Sequence, residues 1–304
     1  MDPSYSALAW LLGIKVVVVV GCRPQVEERM ARRKEYMSED EEAGVNRIEN
    51  GVRITDSTTL RVVKEEAGYV RFEVESQLAR SMKANSRRGV QPFMFSEGGK
   101  QSSAPARMGN VVSGNFYSSQ PIGVRDGCDY QFSGMPRKVE REAIERSLSG
   151  GDIVILTSLG VSPSGEMFNV PSEGLSSTVA GALGAEKIVY YLSEGACLRS
   201  SDRVVPALRL AEAKELLKHN NVKSDAWHIG VPVDDEKIIH EEFLTKIGWG
   251  VSALKSGESV RAAKRRMGKV LCGKSVFFSM HLVGVVSIAI NITSFLTLFD
   301  RHRC

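Results

Sequence analysis

The sequence predicts an α/β protein: a three-layer sandwich around a largely parallel sheet, incomplete at both ends. Two observations carry this prediction. The apolar runs at 14–20 (IKVVVVV) and 152–160 (DIVILTSLG) are continuous rather than alternating, as strands buried on both faces are. Segments of helical periodicity lie between such runs, so strand and helix alternate along the chain.

The elements follow in order. Leu8, Leu11 and Leu12 share one helical face and lead into the valine strand 14–20. Gly21, Cys22 and Arg23 make a turn into a helix over 24–37. Pro24 suits its first turn, where a backbone N–H has no partner to lose. The acidic residues 38–44 read as a solvated turn. Asn50-Gly51 is a turn signal between two short extended pieces within 46–56. Asp56 or Ser57 caps a helix over 58–80, where Leu60, Val63, Ala67, Val70, Val74 and Leu78 recur at helical spacing. Residues 81–109 are aperiodic and rich in Ser, Gly, Arg and Lys, and read as a mobile loop.

Residues 110–123 read as a strand and its continuation, and 127–140 as a hairpin. A helix over 141–151 ends on glycine and leads into the second buried strand. Residues 161–170 turn back on themselves. A helix of small residues follows over 172–185, capped by Ser172, then a third strand over 186–195 and a helix over 209–221. No internal repeat is present.

Composition narrows the function. The chain has 304 residues, and Lys+Arg exceed Asp+Glu by 40 to 36, a net +4. That excess is too small to argue for nucleic acid or an anionic membrane surface. The cysteines at 22, 128, 197, 272 and 304 form no CxxC pair, and the five histidines show no metal-ligand spacing, so no metal site is expected. Scattered cysteines of odd number fit a reducing compartment. The N-terminal residues have neither a basic leader nor transit-peptide composition, which points to the cytoplasm; a plastid or mitochondrial location requires a longer N-terminus.

A resemblance enters at 110–195. The pattern SGNF-x-x-x-QP-x-GV, then DG-x-DY-x-x-SG, the LGVSPSGE-x-FN turn and GAEKIVYYLSEG resembles the amino-acid-kinase-like domain of amino-acid N-acetyltransferase, N-acetylglutamate synthase. LLGIKVVVVVGCRPQVEERM and NGVRITDSTTLRVVKEEAG match upstream, so the likeness runs over about 10–200. Acetylglutamate kinase shares the fold and is the alternative reading. The resemblance implies an open sheet with a cleft at the carboxyl ends of its strands. In the acetyltransferases it implies a catalytically silent cleft, a domain that binds feedback L-arginine and makes homo-oligomer contacts, and a separate acetyl-CoA-dependent module.

Several positions depart from the kinase pattern. A kinase of this fold has consecutive glycines after its strand, because Cβ atoms would hold phosphate away from backbone N–H groups. Here Gly21 is followed by Cys22 and Arg23, similar to the Gly-Ala-Arg-Pro-Gln of the acetyltransferase branch. The turn reads either as a plain strand–helix junction or as a remnant ligand cleft. Cys22 reads as a reactive thiol near a helix N-terminus or as a buried inert one. By resemblance, Arg53 aligns with an arginine that grips substrate carboxylate, its other reading being a surface arginine or an ion pair with Asp56. Asn169 aligns with a substrate-site asparagine, or is a turn residue. Glu173 stands where kinases have an aspartate. Glu194, before Gly195, is a guanidinium-binding carboxylate or a turn residue.

The family's opening Lys/Gly strand is expected to precede residue 1, and the resemblance stops at about 257. The domain is therefore assigned to 1–257, with 258–304 unassigned. No acetyl-CoA pyrophosphate loop follows, so the acetyltransferase module is expected to be missing, and with it acetylation by this chain. Residues 275–299 carry no formal charge and are long enough to span a bilayer. They read as a membrane anchor, as a buried helix or strand pair, or as sequence foreign to the fold from a truncated or misjoined gene model. The abrupt end of the resemblance favours the last.

Overall fold

The computed structural model describes residues 4–34, 47–49, 51–87, 109–185, 187–190, 198–200, 203–205, 208–224, 229–230, 239, 241–257 and 285–291. Helix α1 (Ser4–Leu11) leads into β1 (Lys15–Gly21), and α2 (Arg23–Lys34) follows one residue later. β2 (Ile48–Glu49) and β3 (Val52–Arg53) form a hairpin around Gly51, whose φ of 78° is the left-handed conformation such a turn needs. Helix α3 spans Ser57–Arg87. Next come β4 (Val111–Ser113), β5 (Tyr117–Pro121), β6 (Val124–Arg125), β7 (Cys128–Asp129) and β8 (Gly134–Val139). Helix α4 (Arg141–Ser149) precedes β9 (Ile153–Thr157), β10 (Leu159–Val161) and β11 (Met167–Asn169). Helix α5 (Ser172–Leu183) leads to β12 (Lys187–Tyr190) and the hairpin β13 (Arg199–Ser200) and β14 (Arg203–Val204). Helix α6 (Leu210–His219), β15 (Lys223–Ser224), β16 (Ile229–Gly230), α7 (Glu241–Gly257) and β17 (Val285–Asn291) complete the order.

The main sheet runs β12-β17-β1-β9-β4, and every neighbouring pair is parallel. Val16, Val17, Val18 and Val19 are all fully buried, which is why this strand reads as a continuous apolar run. Alternate residues feed two cores. Val16, Val18, Val20, Ile153 and Ile155 pack with α1, α2 and α3. Val17, Val19, Val154 and Leu156 pack with Ile144 and Leu148 of α4 and Leu175, Val179 and Leu183 of α5. Helices therefore cover both faces, and the predicted three-layer α/β sandwich is the architecture observed. A smaller mixed sheet, β11-β10-β5-β8, stands beside it.

Several local expectations are corrected. Residues 152–160 do not form one strand. The chain breaks at Ser158, whose N–H donates to Val20 O at 3.2 Å, so β9 stays in the main sheet while β10 joins the smaller one. The helix expected over 58–80 runs to Arg87, and Asp56 is its cap: Thr59 N–H donates to Asp56 Oδ1 at 2.6 Å. Ser172 is not a cap. Pro171 holds that position, and the Ser172 hydroxyl donates to Glu173 Oε2 at 3.0 Å. The expectations for 38–44, for 88–108 and for 191–195 lie outside the described residues.

The apolar stretch 275–299 reads in the sequence as foreign to the fold, yet its residues Val285–Asn291 form a strand inside the main sheet. Main-chain pairing explains this: an uncharged run rich in Val and Ile fits between two parallel strands. Among the described residues, no helix is long and apolar enough to cross a membrane.

Candidate functional site

Parallel sheets place ligand crevices at the carboxyl ends of their strands. Here β1 ends at Gly21 and β9 at Thr157, side by side, with Val20 opposite Thr157. Cys22 is 4% exposed, and its Sγ lies 3.4 Å from Ser158 Oγ. Burial pushes the Cys22 thiol up from its usual range, and the Ser158 hydrogen bond opposes this only in part. The thiol is the buried inert kind, not an activated nucleophile.

Arg23 opens α2 and points its guanidinium along the helix. Its Nε donates to Glu27 Oε1 at 2.8 Å, one turn on. The Arg23 side chain is 56% exposed, and although partial desolvation would lower its pKa, the hydrogen bond to Glu27 and the carboxylates of Glu27, Glu173 and Glu241 prevail and raise it. Glu173 stands in the first turn of α5 and Glu241 in the first turn of α7, so these helix starts lie within electrostatic reach of the start of α2.

Arg53, from β3, arrives at the same carboxylate. Its Nη2 donates to Glu27 Oε1 at 2.9 Å, and its side chain is only 8% exposed. Nη1 is buried without a hydrogen-bond partner among the described residues. Burial pulls this guanidinium below the usual arginine value, with Arg23 pushing the same way and Glu27 opposing. Arg53 is therefore neither a surface arginine nor the partner of Asp56, which caps α3 instead. This leaves one arm of a buried guanidinium fork with an unmet hydrogen-bond donor.

Asn169 closes β11 and is tied to the Arg53 strand. Its Nδ2 donates to Thr55 Oγ1 at 3.1 Å. Ser133 Oγ donates to Arg53 O at 2.5 Å, and Thr55 N–H donates to Ser133 Oγ at 3.0 Å. So Arg53 and Asn169 are parts of one buried polar network rather than isolated residues. Tyr190 stands at the end of β12. Its hydroxyl sits 3.3 Å from Ser176 Oγ on α5, one turn beyond Glu173, and burial raises its pKa.

Gly21, Arg23, Arg53 and Asn169 thus gather at one end of the sheets, while Glu194 lies outside the described residues. Sequence reading missed Glu27, Thr55, Ser133 and Ser158. Only Glu27 carried a signal: it stands four residues after Arg23, the spacing of a helical ion pair.

These features define an α/β protein with a polar network and two arginines on one glutamate at the carboxyl end of a parallel sheet. Residues 6–257 match the amino acid kinase family, and the chain belongs to it. Among curated proteins it is similar to the amino-acid acetyltransferase of Ralstonia nicotianae (strain ATCC BAA-1114 / GMI1000), at 31% identity over 72% of this chain and 43% of that one. It is also similar to the amino-acid acetyltransferase of Vibrio vulnificus (strain CMCP6), at 30% identity over 83% of this chain and 48% of that one. The chain thus spans less than half the length of these relatives. Among solved structures, N-acetylglutamate synthase from Neisseria gonorrhoeae, complexed with coenzyme A and L-arginine, shares the fold. The TM-score is 0.53 and the identity 23%, over 84% of this chain and 57% of that one.

Proposed function

We propose that this chain is the amino-acid-kinase-like part of an N-acetylglutamate synthase acting in arginine biosynthesis, and that it binds L-arginine as an effector and associates with further copies of itself. On this reading acetyl-CoA and the acetyl transfer to glutamate belong to a separate acetyltransferase module and not to residues 1–304, and the chain acts in the cytoplasm. The observation that carries the reading is the turn after β1. Cys22 is closed onto Ser158, and Arg23 onto Glu27, where a phosphate cradle needs bare backbone N–H groups. A triphosphate does not fit this donor set, so no phosphoryl transfer is derived from it. The similarity to amino-acid acetyltransferases supports the same branch. The bound L-arginine of the Neisseria protein supports the effector.

The test is a pair of assays on the purified full chain. Incubation with acetyl-CoA and glutamate is expected to yield no N-acetylglutamate. Incubation with ATP, Mg²⁺ and N-acetylglutamate is expected to yield no ADP. Steady ADP release would return the chain to kinase chemistry and overturn the reading.

A further inference from the structure

The main sheet has an unusual construction. β12 is an edge strand, and its only strand neighbour among the described residues is β17. β17 in turn pairs in parallel with β1 along its whole length, from Lys15↔Val285 to Gly21↔Asn291. The two registers interlock. Val18 and Val189 both lie opposite Ile288, and Val19 and Tyr190 both lie opposite Ala289. β1 ends at Gly21, next to Cys22, and β12 carries Tyr190, whose hydroxyl also reaches Glu173 O at 3.5 Å.

We propose that Val285–Asn291 is the keystone strand of this protein: its insertion between β1 and β12 fixes the Cys22–Arg23 turn relative to the Tyr190–Glu173 contact, so that the candidate site forms only when this segment is docked. Adjacent strands lie about 4.8 Å apart, so β1 and β12 are separated by roughly twice that distance and cannot pair with each other directly. Without the intervening strand, both present buried N–H and C=O groups with no partner. The valine-rich β1 would then be an open, flat, apolar edge of the kind that recruits foreign strands. The segment VVSIAIN is suited to the slot. It is uncharged, contains no proline, and four of its seven residues are β-branched aliphatics. Helix α5 packs across β1, β17 and β12 together, so it too rests on the completed sheet. Residues 285–291 of the apolar stretch therefore serve as a sheet element.

Residue-resolved hydrogen exchange on the full chain tests this. In the wild type, amides of 285–291 are expected to exchange roughly 100-fold or more slowly than an unstructured peptide, alongside those of 16–20. Proline at the centre of the strand, Ala289→Pro, removes a ladder donor and is expected to release protection across 187–190. Thr297→Pro, beyond the strand, is expected to leave that protection intact. If Ala289→Pro prevents folding while Thr297→Pro does not, the requirement for the strand is upheld. Unprotected amides at 285–291 in the wild type would overturn the proposal. So would unchanged protection of 187–190 in Ala289→Pro, or protection of 275–299 that arises only with phosphatidylcholine vesicles.

Discussion

Glu27 and Arg53 lie 26 positions apart in sequence and meet at 2.9 Å. The same carboxylate oxygen also holds Arg23 at 2.8 Å. One glutamate on α2 thereby ties the first helix turn after β1 to the β2–β3 hairpin. Because Arg53 is 8% exposed, its buried charge is compensated by that contact. Glu27→Gln is expected to cost about 1–3 kcal/mol, less than breaking a fully buried ion pair because Glu27 itself is 38% exposed. Urea unfolding of wild type and variant measures it. Glu27→Gln and Arg53→Met together should cost less than the sum of the single changes.

Ser133 and Asn169 act on one group, Thr55, and should therefore couple. Ser133→Ala leaves the buried Thr55 N–H without its acceptor, an expected loss of about 1–3 kcal/mol. Asn169→Ala removes the half-buried donor at the buried Thr55 hydroxyl and should cost about 0.5–1.5 kcal/mol. A double-mutant cycle is expected to show coupling of about 0.5 kcal/mol or more. Strict additivity would mean that the network is not shared.

Cys22 predicts an alkaline loss of stability. Burial raises its thiol pKa in the folded chain, so the unfolded chain releases the proton first, at about 8.5. The folded state keeps its full advantage below that pH and loses it as pH rises through the folded value. Tyr117 and Tyr190, also raised by burial, add to the decline from about pH 10. Chemical denaturation across pH 7 to about 11 should show the fall, and Cys22→Ala should remove its first part. Peptide-resolved alkylation at neutral pH should label Cys128 before Cys22, since Cys128 is the more exposed.

Two glycines predict opposite signs. A Cβ at Gly160 would lie 2.6 Å from Ser119 Cβ, where β10 approaches β5. Gly160→Ala is expected to cost about 1–3 kcal/mol. Gly68, in the middle of α3, has nothing within 4 Å of its Cβ position. Gly68→Ala should gain about 0.5–1 kcal/mol through helix propensity. Thermal unfolding of the two variants distinguishes them.

The order of strands and helices was legible because burial on both faces leaves a run such as VVVVV unmistakable, and amphipathic spacing marks α3. Gathering Arg53 and Asn169 was legible only through family resemblance, since their sequence separation hides the Thr55–Ser133 bridge. Three features were not legible. The break at Ser158 depends on which sheet each half of an apolar run joins, and both halves look alike. Arg53 chose Glu27 over the nearer Asp56 because Asp56 is committed to capping α3. The seven residues of β17 read equally as anchor, core or foreign sequence, because periodicity says nothing about which partner strands wait for an apolar run.

The central claim is that this amino-acid-kinase fold senses an amino acid and does not transfer phosphate. Calorimetric titration of the full chain with L-arginine tests it most directly. A saturable heat of binding is predicted, with none for D-arginine. Absence of any heat for L-arginine at millimolar concentration, by a chain that unfolds cooperatively, would contradict the account.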